Sequence, residues 1–202
     1  MVDTIPPMGN REDLLAGALT CLKEKGWART TVRDIAAAAG VNHAAIGYHF
    51  GSREALLTAA FVQAMDEWGT EMEAVVRAGL DREATPKERY EAFWRKAIES
   101  YGAHRRLWLA SVEAAVEAEH NPRVRELMVG ALREGRGGLA AGLLGVPEDD
   151  LDEHDVRTLG SLQMALMSGV LVQWMLDPDH APSPGDLTEG LLALTTRLGA
   201  DT

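Results

Sequence analysis

A single cysteine, Cys21, in a chain of 202 residues excludes an intrachain disulfide framework and a cysteine-rich zinc site. A reducing interior is the simplest setting for such a chain. Aromatic residues are scarce at 5%, so the apolar content rests mainly on Ala, Leu, Val and Met, which suits packed helices. No strand-like alternation of apolar and polar residues stands out. The opening Met1–Asn10 has neither a basic nor an apolar segment, so no secretory signal is expected there. The most apolar stretch, Met164–Leu176, is interrupted by Ser168, Gly169 and Gln173 and is shorter than the ~20 residues needed to cross a bilayer. No membrane partner is therefore expected, and the cytoplasm is the expected location.

Catalytic and metal-binding patterns are also missing. His104, His120, His154 and His180 are widely spread and lack ligand spacing, so no metal is expected. Cys21 has no His or Asp partner in view and is expected to be a partly buried small side chain. Glu134-Gly135-Arg136-Gly137-Gly138 is glycine-rich but follows no strand, which argues against a phosphate loop. The acidic run from Glu148 to Asp155 reads as a solvated loop. No enzyme activity and no cofactor are expected.

Basic charge is in deficit as well, with a net charge of -11. Its distribution is uneven. Residues 1–55 hold six basic and six acidic residues, and the remainder holds 14 basic and 25 acidic. An acidic body would hold nucleic acid away from everything except a neutral N-terminal segment.

What is present is helical periodicity, in about nine helices. The first runs from about Arg11 to Lys25, with Leu15, Ala18, Leu19 and Leu22 on one face and Gly26 as its stop. Thr31 through Asp34 is a capping-box-like start for a helix over Val32–Ala39, which Gly40 ends. Asn42 caps a short helix, His43–Tyr48. Ser52 opens a long helix to about Gly79, and Asp81–Pro86 reads as a loop. Helices follow at about Pro86–His104, Arg105–Ala118, Pro122–Leu144, Glu153–Leu176 and Pro184–Leu198, several opened by a proline at the first turn.

The segment Thr30–Leu56 carries the function. An eight-residue helix, the tight turn Gly40-Val41-Asn42 and a second short helix make a helix-turn-helix, with Ala36–Ala39 small enough for close helix approach. Ile35, Val41 and Ile46 form the wedge between the two. In such units the second helix enters the major groove and its N-terminal residues meet base edges. Arg53 breaks a local rule, because a cation in the first turn of a helix opposes the dipole. Such a breach points to a functional contact, here a phosphate.

Thr30-Thr31, the run from Ile35 to Val41, and the run from Tyr48 to Leu56 together resemble the tetracycline-repressor (TetR) family of bacterial regulators, over roughly residues 10–57. The resemblance implies an all-α fold, with a three-helix DNA-binding domain over 1–55 and a ligand-binding and dimerisation domain over 56–202. It implies that His43 and Ala44, with Ala45 beside them, face base edges, and that Thr31, Asn42, Tyr48, His49 and Arg53 contact phosphates. Gly47 departs from the family pattern, which usually has an aromatic residue there, so fewer backbone contacts are expected. Arg53 stands where Lys is commoner and keeps the charge.

Two heads must sit about one DNA turn apart, ~34 Å, to read a palindromic operator. The helix over 153–176 carries Leu159, Leu162, Leu166, Val170 and Trp174 on one side, and the last helix carries Leu187, Leu191, Leu194 and Leu198. The resemblance implies that these two helices pair with their symmetry mates in a homodimer. Trp94, Trp108 and Met128, facing Gln163, Met164 and Met167, are expected to line an adaptable apolar pocket. The expected function is sequence-specific DNA binding, most simply repression relieved when a small, mostly apolar effector binds. The rival is a helical small-molecule-binding protein or enzyme that does not act on DNA, distinguished by the absence of salt-dependent duplex binding.

Overall fold

The computed structural model describes residues 9–81 and 84–199, with side chains over 11–79 and 84–199. The expected absence of a signal in the first residues, and the middle of the loop placed over 81–86, lie outside the described residues. No strand occurs among the described residues, which form nine α-helices. These are α1 (Gly9–Lys25), α2 (Val32–Ala39), α3 (Ala44–Phe50), α4 (Arg53–Asp81), α5 (Pro86–Ala103), α6 (Arg105–Glu117), α7 (Pro122–Leu144), α8 (Glu153–Leu176) and α9 (Pro184–Gly199). Every helix expected from periodicity is present, with ends shifted by no more than two residues.

By packing, the chain forms two compact units, each drawn from two separate stretches of sequence. Unit one takes residues up to Glu67 together with Arg106–Leu132, and unit two takes Trp68–Arg105 with Arg133 onward. Chain order hides this, because α6 and the start of α7 return to pack with the N-terminal helices.

Unit one is built around one apolar cluster. Leu14, Ala18 and Leu22 of α1 meet Ile35 of α2, Ile46 of α3, Leu56 and Ala60 of α4, and Leu107, Ala110 and Ala114 of α6. Gly17 allows α1 to lie tight on α2: a Cβ there would stand 2.9 Å from the Ala39 nitrogen and 3.0 Å from the Ile35 oxygen. Periodicity alone gives no hint of this role. Cys21 is buried in the same core, more fully than the partly buried side chain expected.

Unit two buries Trp94, Ala97 and Tyr101 of α5 with Met167, Val170 and Leu171 of α8. The Thr85–Glu88 capping box opens α5, with Thr85 Oγ1 accepting from the Glu88 N–H at 3.3 Å. The glycine-rich segment 134–138 lies inside α7. α8 contains a π-helical turn over Val156–Gly160, next to its crossing with α7. Gly160 makes that crossing possible, since a Cβ there would overlap the Arg136 carbonyl oxygen. Through this turn the helix runs unbroken for 24 residues, long and apolar enough by length and composition alone to cross a membrane. The shorter stretch seen in the sequence understated it.

Candidate nucleic-acid interface and effector site

The reading head begins at the cap of α2. Thr31 Oγ1 accepts from the Asp34 N–H at 3.2 Å, while the Thr31 N–H and hydroxyl both donate to Asp34 Oδ2 at 2.8 and 2.7 Å. Lys25 closes on the other Asp34 oxygen at 2.5 Å. Lys25 first and Thr31 second hold the Asp34 carboxyl well below the usual carboxylate range. The end of α2 is set by Gly40, left-handed at φ 67°, whose N–H reaches the Ala36 and Ala37 carbonyls. Val41 N–H donates to Ala36 O at 3.1 Å, which fixes the turn.

Asn42 Oδ1 accepts from the Ala44 N–H at 2.9 Å, a turn contact that leads into α3; the cap position itself falls on His43, one residue later than expected, and has no side-chain cap bond. The N-terminal end of α3 is open to solvent: Asn42, His43 and Ala44 are exposed, with Ala45 half-buried behind them. Tyr48 is 76% exposed, a large value for an aromatic residue of a folded domain. Its ring meets His49 edge-on at 4.9 Å. Phe50 turns inward against the core, under the Arg11 guanidinium at 5.2 Å. The structure thus leaves Asn42 and His43, in the turn, and Ala44 and Tyr48, on the helix that follows, all facing solvent, with Thr31 exposed at the cap of the preceding helix.

Arg53 is placed differently from the phosphate contact expected of it. Its Nε donates to Thr30 O and its Nη2 to Trp27 O, both at 2.5 Å, and Nη1 pairs with Glu54 at 2.6 Å. The guanidinium locks the loop between α1 and α2 onto the first turn of α4. The breach of the dipole rule is explained by these two carbonyls. α6 grips the same region, where Arg106 donates to Glu24 O and Glu113 accepts from the Ala28 N–H. Thr30, fully buried, donates to Gly26 O at 2.7 Å. Arg29 and Arg33 are exposed cations of the head that the sequence reading passed over. Arg33 lies in the first turn of α2, two residues from Thr31, and that adjacency is the signal that was missed.

The six residues expected to line one pocket do not share one unit. Trp108 and Met128 belong to unit one, where Trp108 is buried and Met128 packs on the core. Trp94, Gln163, Met164 and Met167 belong to unit two. There the Tyr90 hydroxyl donates to Gln163 Oε1 at 3.1 Å, and Tyr90 and Phe93 set their rings edge-on to Trp94. Burial pushes the Tyr90 hydroxyl above its ordinary pKa, with the neighbouring Trp94 N–H opposing the rise. Unit two also carries an open groove of about 840 Å³ between α7 and the start of α8, where Arg133, Arg136 and Arg157 face Glu148, Asp152 and Glu153. Read as a solvated acidic loop in the sequence, this segment is one wall of a mixed-charge groove.

Of the side chains expected on one side of α8, Val170 is buried within unit two and Trp174 packs against Tyr101, with Leu159 and Leu166 half-buried. The helix's exposed stripe is Leu162, Ala165, Gly169, Val172 and Leu176, spaced alternately three and four apart. On α9, Leu187 and Leu191 are half-buried while Leu194 and Leu198 are exposed.

Residues 14–60 match the family model described as bacterial regulatory proteins of the tetR family. Residues 86–197, more than half the chain, match the model for the C-terminal part of BetI-type transcriptional repressors. The chain is 32% identical over 139 residues to the HTH-type transcriptional repressor KstR2 of Rhodococcus jostii, covering 66% of this chain and 68% of the relative. It is also 32% identical over 150 residues to the HTH-type transcriptional regulator BetI of Rhizobium meliloti, covering 70% and 68%. Among solved structures it is similar to the transcriptional regulator SCO7518 of Streptomyces coelicolor A3(2), at 28% identity and a TM-score of 0.62, over 93% of this chain and 98% of that one. It is similar too to the multidrug binding protein EbrR complexed with proflavin, at 25% identity and a TM-score of 0.62, over 92% and 99%. With both halves of the chain matched and a capped helix-turn-helix at its head, the protein belongs to the TetR family of bacterial transcriptional regulators.

Proposed function

We propose that the protein acts in the cytoplasm as a homodimeric repressor, which binds a two-fold-symmetric duplex site and releases it when a small molecule occupies unit two. The observation that carries this reading is the solvent-facing end of α3, held by the Gly40 cap and the Asn42 contact in the turn. His43 and Ala44 are offered to base edges, with Asn42 and Tyr48 beside them for phosphates. A histidine ring either donates to or accepts from a base, and the Ala44 methyl suits the methyl of thymine. Exposed Thr31, Arg29 and Arg33 add positions for backbone oxygens, and half-buried His49 lies behind Tyr48. Arg53 acts one step back, by fixing the loop that orients the head.

Pairing is supported by the apolar stripe of α8. Leu162, Ala165, Gly169, Val172 and Leu176 follow the three-four spacing of a helix-pairing seam, and Leu176 is 81% exposed. On α9, Leu194 and Leu198 are exposed as well. Exposed apolar side chains in such an array favour a covered face over a bare one. This seam also gives the apolar surplus of the 24-residue helix a role that needs no bilayer. The effector is bound and not chemically altered, and regulation requires that it favour one of two arrangements of the heads.

The test is selection of bound duplexes from a random pool by the full-length protein at near-physiological salt. A two-fold-symmetric site is expected, with affinity falling steeply as salt rises. Recovery of no preferred duplex by a folded, dimeric sample would overturn the reading.

A further inference from the structure

We propose that the effector presents a hydrogen-bond acceptor oxygen to the side-chain amide of Gln163, beside the half-buried Tyr90 and the buried Trp94. This rests on the reading that unit two holds the effector and names the ligand chemistry of that site. Gln163 is 2% exposed and Trp94 is fully buried, yet Gln163 Nε2 and Trp94 Nε1 both lack a hydrogen-bond partner. Buried amides left unpaired are expensive, so such atoms mark places where another group belongs.

The arrangement of the three residues has a direction. The Trp94 N–H lies close enough to the Tyr90 oxygen to act on its titration, though outside hydrogen-bond geometry. That side of the Tyr90 oxygen faces a donor, so the hydroxyl proton goes to the other side, to Gln163 Oε1 at 3.1 Å. The amide is thereby held with its oxygen toward Tyr90 and its NH2 group turned away, carrying protons and no acceptor. The Tyr90 bond to the amide oxygen polarises the amide, which makes its NH2 a better donor.

The surroundings are apolar and adaptable. Met164 and Met167 follow Gln163 by one and four positions along α8, and the rings of Tyr90, Phe93 and Trp94 stand edge to face. The class of ligand that fits is a compact apolar molecule bearing a carbonyl-type oxygen and needing no donor of its own. A site built on a buried donor rejects an isosteric analogue that lacks the acceptor.

The probes are acetophenone and ethylbenzene, which differ in the oxygen at the same position, titrated into full-length protein carrying 15N at its glutamine side chains. The chain has three glutamines, so Gln63 and Gln173 are internal references. Acetophenone is expected to shift the Gln163 NH2 proton resonances downfield saturably, while ethylbenzene is not. Acetophenone should also bind about 10-fold more tightly, as expected for one buried hydrogen bond. In Gln163→Leu the two affinities should fall within about two-fold of each other. Equal affinities in the wild type, an unmoved Gln163 resonance, or no saturable binding of acetophenone would overturn the proposal, and these need no variant to fold. Anisotropy of a labelled, selected duplex separates the two readings. Retained duplex with the Gln163 shift intact supports the acceptor site and strikes the effector role of unit two. Release of duplex by acetophenone without that shift overturns the site and leaves the effector role standing.

Discussion

In unit one the polar groups beside the core are used up within the chain, whereas in unit two several are left over. The loop between α1 and α2 shows the first pattern: Arg53, Thr30 and Glu113 each engage a backbone group there, and Arg106 engages one in the last turn of α1. Among the described residues of this unit, Glu113 Oε2 is the one buried side-chain atom without a partner. Unit two leaves Trp94 Nε1, Gln163 Nε2 and Arg136 Nε unpartnered and contains the π-helical turn. Its helix α8 bears the apolar stripe. A head that reads a fixed groove gains from having one geometry. A body that must respond to a ligand needs groups whose satisfaction depends on that ligand.

The largest effect expected from breaking this contrast is at the stripe. Val172→Glu places a carboxylate in the proposed seam of each protomer, and an unpaired buried charge costs roughly 3 kcal/mol or more. The dimer should become at least about 100-fold weaker, given that 1.4 kcal/mol is about a factor of 10. Sedimentation velocity would show monomer, and operator affinity would fall with it. A dimer of unchanged strength would remove α8 as the joint.

Close helix crossings come next and occur in both units. Gly160→Ala drives a methyl group into the Arg136 carbonyl. A loss of roughly 3 kcal/mol is expected, or about 6–12 °C in Tm. Gly17→Ala meets the α2 backbone at longer distances and should cost roughly 1–2 kcal/mol. Gly69, inside α4, faces open space, so Gly69→Ala should raise stability by about 0.5–1 kcal/mol. Scanning calorimetry that ranks the three otherwise would contradict the crossings described.

Helix positions were legible in the sequence because their punctuation is local. Thr31, Gly40, Asn42, Ser52 and Thr85 each act on a backbone group within five residues. The exposed face of α3 was legible for the same reason. The partners of Arg53 were not, because Trp27 and Thr30 are more than 20 residues away and are reached through backbone carbonyls, which leave no side-chain signature. The division into units was hidden by the return of α6. Which apolar stripe of α8 faces outward was ambiguous, because a helix apolar around most of its girth carries two seams. Trp108 and Met128 fall in unit one and Gln163 in unit two, which the sequence did not reveal for the same reason: apolar content identifies buried residues without assigning them to a unit.

The two kinds of arginine in the head give a smaller and sharper test. Arg53→Ala frees the Trp27 and Thr30 carbonyls, and a loss of roughly 1–3 kcal/mol in stability is expected. Arg33→Ala should leave stability unchanged and lower the slope of log affinity against log salt by about 0.9. The reverse outcome would return Arg53 to the phosphate backbone. Within α3, His43→Ala should change which duplex is preferred, and Tyr48→Ala should weaken all duplexes alike.

The smallest effect contrasts two carboxyls. Burial raises the pKa of Glu113 in unit one, against the opposing pull of Arg53 and of the Ala28 N–H. Burial also raises that of Glu148 in unit two, there assisted by the like charges of Glu73, Asp149 and Glu134. A carboxyl with a folded pKa above its unfolded value holds more protons folded than unfolded in the interval between them. Stability therefore falls as pH rises from about 4.3 through the folded pKa, and is level above it. Glu113→Gln and Glu148→Gln should each flatten this descent when Tm is followed from pH 4 to pH 7. Adding salt then tells the two apart, because like-charge repulsion at an exposed site is screened and burial is not. Salt should shrink the gap between wild type and Glu148→Gln while leaving that of Glu113→Gln in place. Equal salt responses would mean that the two carboxyls are raised by the same cause, and the contrast between the units would not extend to their charges.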